Sequence, residues 1–168
     1  MIQGTMKPGL VKMTPANDAP MTMQHLAPKW MCGNHDATQF LLTVHKIVEA
    51  WDDLIDRDKA TGDKEINGAF YAALITLPRN PFYAQNFMVL NPIMESAILD
   101  WHAANALEKM GSVERLRTSF VLRAAGMALT VMAAKIVGGV DWAAQVNTEL
   151  RQMGDTWADY CAKHGVSP

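Results

Sequence analysis

The sequence predicts an all-α fold, a single-domain bundle of five or six helices with an extended N-terminal arm. Apolar residues recur every three to four positions from Asp36 onward. The breaks between these stretches carry helix caps and Gly or Pro stops. No stretch shows the strict alternation of a half-buried strand. At 168 residues the chain is long enough for one sizeable core.

The arm is read over 1–34 and the bundle over 35–168. Residues 1–34 hold four of the eight prolines (Pro8, Pro15, Pro20, Pro28) and six of the twelve methionines, with no helical period. A segment without its own core needs a surface to hold it. That surface is either the chain's own domain or a neighbouring subunit.

The first helix is expected over 36–58. Phe40, Val44, Ile47, Val48, Trp51, Leu54 and Ile55 fall on one face, with Asn34 or Asp36 able to cap the start. After the "ATG" break, Asp63 is a candidate cap for a second helix over 64–77, ended by Pro78. Asn80-Pro81 and Asn91-Pro92 each place a capping side chain before a first-turn proline. They predict a short helix over 81–89 and a longer one over 92–110. Gly111-Ser112 separates the next, over 113–137, whose small residues suit close helix approach at the centre of the bundle. Gly138-Gly139 should end it. Asp141 should cap a last helix striped by Trp142, Val146, Leu150, Met153, Trp157 and Tyr160.

Charge and composition exclude several functions. The net charge of −2 and the absence of any run of four Lys or Arg give no electrostatic case for nucleic acid or a membrane surface. The apolar run over 124–134 falls short of the roughly 20 residues that cross a bilayer. Cys32 and Cys161 have no metal-type spacing and form no disulfide framework. With no basic-then-apolar leader, the expectation is a reduced, cytoplasmic setting and not secretion by signal peptide.

The stretch "VEAWDDLIDRD" holds five of the seventeen acidic residues and the spacing D-D-x-x-D. On a helix turning about 100° per residue, its acids do not act as one cluster. His45, Glu49, Asp52 and Asp56 share one stripe, at i, i+4, i+7 and i+11. Asp53 and Asp58 point elsewhere. Carboxylates one turn apart suit Mg²⁺, which binds one or two protein carboxylates plus substrate phosphates. Four aspartates near a helix C-terminus also oppose the macrodipole, at about 0.3–1 kcal/mol each, so a cationic neighbour is expected. The neighbour is either a metal or an arginine such as Arg115, Arg117 or Arg123. His45 and Glu49 can pair with each other at i,i+4.

This segment resembles the first aspartate-rich motif of the terpenoid (isoprenoid diphosphate) synthases, over residues 40–78. The resemblance implies Mg²⁺ at Asp52 and Asp56, with Asp53 nearby, and a diphosphate ligand for which Arg123 is the candidate phosphate contact. The chain departs from that family in three ways. It has no second acidic motif, it lacks the paired arginines after the first, and it is much shorter.

A di-iron bundle needs two Glu-x-x-His motifs, which are absent. "NHD" with His25 upstream is only a fragment of a metal phosphohydrolase pattern. No P-loop, dinucleotide or Gly-x-Ser-x-Gly signature occurs. Trp30 and the aromatics of "PRNPFYAQNF" (Phe82, Tyr83, Phe87) are expected interaction residues where exposed.

The segments "FLLTVHKIVEAWDDLID", "LITLPRNPFY", "LNPI", "LDWHAANALE" and "IVGG" resemble those of uncharacterised small all-helical proteins of tailed bacteriophages, over about 40–160. The resemblance implies an origin, in host cytoplasm or virion, more than a function. Together with the arm, the methionines and the missing second half of any catalytic constellation, it leads to the expectation of a non-enzymatic structural or assembly protein without a cofactor. Its partners would be other phage subunits or further copies of itself, in a homo-oligomer. The alternative is a Mg²⁺-dependent enzyme or binder of a diphosphate or nucleotide.

Overall fold

Every regular element among the described residues is helical. The structure, a computed structural model, describes residues 22–56, 60–153 and 155–167, without the Asp56 side chain. The elements are α1 (Met23–Trp30), α2 (His35–Asp56), α3 (Asp63–Tyr71), α4 (Leu77–Arg79), α5 (Pro81–Gln85), α6 (Phe87–Lys109), α7 (Val113–Arg123), α8 (Met127–Arg151) and α9 (Trp157–Lys163). The predicted all-α bundle is what these elements build.

Of the expected arm, residues 1–21 lie outside the described residues. From Met23 the chain is helical rather than extended. Leu26, Ala27, Trp30 and Met31 form a face that is fully buried. The Trp30 indole donates to Glu149 Oε2 at 2.9 Å, and its carbonyl accepts from Trp142 Nε1 at 2.8 Å. Lys29 Nζ closes on Glu149 Oε1 at 2.8 Å. These donors hold the Glu149 carboxyl below the ordinary range, with Lys29 the first cause. An isolated helix this short is marginal, and Pro28 weakens it locally, so packing on α2 and the bonds to Glu149 and Trp142 of α8 decide its conformation.

Asn34 begins α2, its Oδ1 accepting from Ala37 N–H at 2.9 Å. Pro78 does not stop the chain after α3. Residues Ala72–Thr76 form a π-helical turn in which Leu77 N–H donates to Ala72 O, and α4 continues through Pro78. Proline removes one donor and crowds the carbonyl four residues back, and a widened turn relieves both. Only the first Asn-Pro pair works as a cap. Asn80 Oδ1 accepts from Tyr83 N–H at 2.9 Å, and its amide donates to Asp36 O, tying α5 to α2. Asn91 instead accepts the Tyr83 hydroxyl at 2.9 Å, and Pro92 lies inside α6.

The helix expected over 113–137 is broken by a turn at 124–126. At the expected Gly138-Gly139 break the backbone does leave the helical region, at Gly139 (φ +82°, ψ −176°), and a second helical segment follows at once, so α8 is two segments joined by a kink. Together Val113–Arg151 are long and apolar enough to cross a membrane by length and composition, unlike the shorter run the sequence reading singled out. In this fold Leu129, Ala133, Ala134 and Val146 of α8 sit in the core with Trp30, Phe40, Phe82 and Leu90. Phe40 stacks on Tyr83 at 5.5 Å between ring centroids. α2 and α6 pack directly on α8, while α1 and α5 pack on α2.

The kink has a steric cause. Gly139 has φ +82°, a backbone region L side chains rarely adopt. A Cβ on Gly138 would lie 2.3 Å from Trp142 Cδ1, on the side chain that bonds to α1. Gly138→Ala is therefore expected to cost about 1–3 kcal/mol by overpacking, read as a lower urea midpoint at unchanged slope.

Candidate functional site

The site assembles where α6 folds back on α7 and α9 closes over them. Ser112 caps α7, its Oγ accepting from Arg115 N–H at 3.3 Å. The short turn brings Asn105 and Glu108 of α6 beside Ser119 and Arg123 of α7. Arg123 donates from Nε to Glu108 Oε1 at 2.9 Å and from Nη2 to Glu108 Oε2 at 2.7 Å. Its Nη2 also reaches Asn105 Oδ1. Ser119 Oγ lies 2.8 Å from Glu108 Oε1 and 2.7 Å from the Tyr160 hydroxyl, which itself donates to Glu108 Oε1. The Glu108 side chain is 13% exposed and that of Arg123 23%.

The electrostatics follow from this crowding. Burial pushes the Glu108 carboxyl up, but hydrogen bonds from Arg123, Tyr160 and Ser119 outweigh it and hold the group at about 2. Burial raises the Tyr160 hydroxyl, and its bond to anionic Glu108 adds to the shift. Burial disfavours the Arg123 charge, yet Glu108 raises it above the ordinary arginine value.

Arg123 also meets the acidic stripe. Its Nη1 is 3.9 Å from Asp52 Oδ1, too long for a hydrogen bond, while Asp52 Oδ1 accepts from Trp101 Nε1 at 3.2 Å. The guanidinium lies over the Trp101 ring, 5.5 Å from its centroid. A cleft of about 590 Å³ opens beside this pair. Phe120, Val121, Ala124 and Met127 form one wall. Tyr160, His164, Arg151 and the Lys163–Asp155 pair (2.6 Å) face it. A smaller apolar pocket of about 240 Å³, lined by Trp51, Met94 and Trp101, adjoins the other side of Arg123.

The structure divides the residues singled out from sequence. His45 Nε2 pairs with Glu49 Oε1 at 3.3 Å, as i,i+4 spacing allows, apart from the cleft. Asp52 lines the cleft, whereas His45 and Glu49 do not, and the Asp56 side chain lies outside the described residues. Among the described residues no three His, Cys, Asp or Glu side chains group as metal ligands. Trp30, Phe82 and Tyr83 are core residues, not exposed contacts, because α1 and α5 fold their apolar faces onto α2. Phe87 alone of that set is exposed. Sequence reasoning missed Glu108, Ser119 and Tyr160. A fold-back about Gly111-Ser112 would have pointed to Glu108, but Tyr160 comes from α9 and carries no local signal.

Because the folded pKa of Glu108 is depressed, its stabilisation is present above the unfolded value near 4.3 and is lost as pH falls toward 2. Allowing for solvent screening at the cleft edge, it amounts to roughly 1–3 kcal/mol. Denaturant unfolding between pH 6 and pH 2 should show that loss. Glu108→Gln should lower stability at pH 7 and flatten the acid limb.

In comparisons with family models, curated proteins and solved structures, nothing matches this chain, so its own geometry carries the functional argument.

Proposed function

We propose that the chain is a non-enzymatic interaction protein that self-associates, in the structural or assembly role its sequence likeness to tailed-phage proteins suggests. The observation that carries this reading is the apolar surface at the α3 end and π turn. Phe70, Tyr71 and Leu74 are 61%, 62% and 69% exposed. They follow at helical spacing on an element whose other face packs on α2. Large aromatic and aliphatic side chains grouped in the open mark contact surfaces, and aromatics are enriched at interfaces. Phe87, Met88 and Val89 add a second exposed apolar stretch at the start of α6.

The Mg²⁺–diphosphate reading has less support. Arg123 faces Asp52 at the position where that reading needs a cation, and two of the cleft's basic groups, Arg123 and Lys163, already hold carboxylates. A positive charge beside the carboxylate weakens its hold on another cation.

Sedimentation over a wide concentration range should show reversible association. Phe70→Asp with Leu74→Asp should weaken it about thirtyfold or more, as loss of an interface centre does. A monomer at every concentration would overturn the proposal. Separately, premixed Mg²⁺–pyrophosphate titrated into the protein should give no saturable heat beyond its dilution. Asp52→Asn should change stability by less than about 1 kcal/mol, since the Asp52 side chain is 47% exposed.

A further inference from the structure

The cleft beside Arg123 has the shape and polarity of a small-molecule site, and its charges say what kind. Its volume of about 590 Å³ lies within the roughly 300–1,000 Å³ of ligand pockets. One wall is apolar: Phe120, Val121, Ala124 and Met127. Val121 is 68% exposed on that wall, a large aliphatic group with water on one side.

The polar wall is almost fully spoken for. Glu108 is occupied by Arg123, Tyr160 and Ser119, and Lys163 by Asp155. Arg151 lies at the rim with its Nε on Asn147 Oδ1 at 3.4 Å, and what stays open between an acid and a base is the gap from Arg123 Nη1 to Asp52 Oδ1. Nε and Nη2 of Arg123 are engaged, whereas Nη1 reaches Asp52 only at 3.9 Å. That distance exceeds a hydrogen bond and matches the span that one oxygen atom bridges, accepting from the guanidinium and donating to the carboxylate.

We infer that the cleft binds a small uncharged amphiphile bearing a hydroxyl. The hydroxyl bridges Arg123 Nη1 and Asp52, and the apolar body lies on the Phe120–Met127 wall. An anionic head would face Asp52 together with Glu108 and Asp155. A cationic head would face Arg123, Arg151 and Lys163. The polar wall carries three acids and three bases, Asp52, Glu108 and Asp155 against Arg123, Arg151 and Lys163, so neither ion is favoured. A head that both donates and accepts complements the exposed pair, whereas a like charge brought against either member is disfavoured. This inference rests on the cleft and not on the α3 surface, so the two stand or fall separately.

The test is calorimetry at pH 7 with 1-octanol, octanoate and octylammonium, on the full chain. Octanol should bind saturably at one site, at least about tenfold tighter than either ion. Ala124→Phe, which fills the cleft from its apolar wall, should abolish binding while the far-ultraviolet spectrum stays helical. Asp52→Ala, on a half-exposed side chain, should remove the discrimination against octanoate. Octanoate or octylammonium binding as tightly as octanol to the unaltered protein would overturn the inference. So would the absence of saturable octanol binding, or unchanged affinity in folded Ala124→Phe.

Discussion

Burial of the Glu108 carboxylate is the constraint on which the second half of the bundle depends. A carboxylate removed from water is tolerated only when every lone pair is matched. Here Arg123 donates to both oxygens, and the Tyr160 and Ser119 hydroxyls both converge on Oε1. Those donors come from α7 and α9, so satisfying one side chain fixes two helices against α6. The α7 register follows, because Arg123 and Ser119 are four residues apart and must both reach the same carboxylate. Phe120 sits beside Ser119 and packs edge-on against Trp157 and at a tilt against Tyr160. The polar knot and its aromatic cover therefore form one unit.

The first half of the bundle uses the same device at lower burial. Glu149 gathers Lys29 and the Trp30 indole, and Trp142 returns a bond to the Trp30 carbonyl. A short N-terminal helix of poor intrinsic stability is thereby latched to the long α8. Gly138 provides the space for the Trp142 side chain, and the left-handed Gly139 redirects the chain behind it. The kink is thus part of the latch. A side chain at position 138 would collide with Trp142, the residue that bonds to Trp30.

The helical class and the starts of α2, α3, α5 and α7 were legible because they rest on local chemistry. Asn34, Asn80 and Ser112 act as caps through their own side chains, and 3.6-residue periodicity marks α2 wherever it lies in space. The misreadings share one cause, a local rule overruled by packing. Pro28 and the proline-rich context argued against α1, which exists because Leu26, Ala27 and Trp30 find a core. Pro78 and Pro92 were read as boundaries, but a π turn and a long helix carry the chain through them. The site was half legible. Arg123 stood out as a charge in an apolar helix, and Asp52 as its possible partner. Glu108, the closer partner, looked like any surface glutamate near a helix end. Tyr160 reaches the knot from 52 residues away, a distance that no spacing rule covers.

The direction of the shifts in the knot bears on what the cleft can do. A group that moves protons in a reaction works best with a pKa near the operating pH. Here the carboxyl of Glu108 is held at about 2, the Tyr160 hydroxyl is raised above its ordinary value, and the Arg123 guanidinium is raised above its own. All three move away from neutrality, so each is locked in one protonation state at pH 7. A locked constellation presents a fixed pattern of donors and acceptors, and the Asp52–Arg123 gap is where that pattern opens to solvent. Such rigidity suits recognition better than turnover. It agrees with the proposed reading of the α3 face and the cleft as binding surfaces.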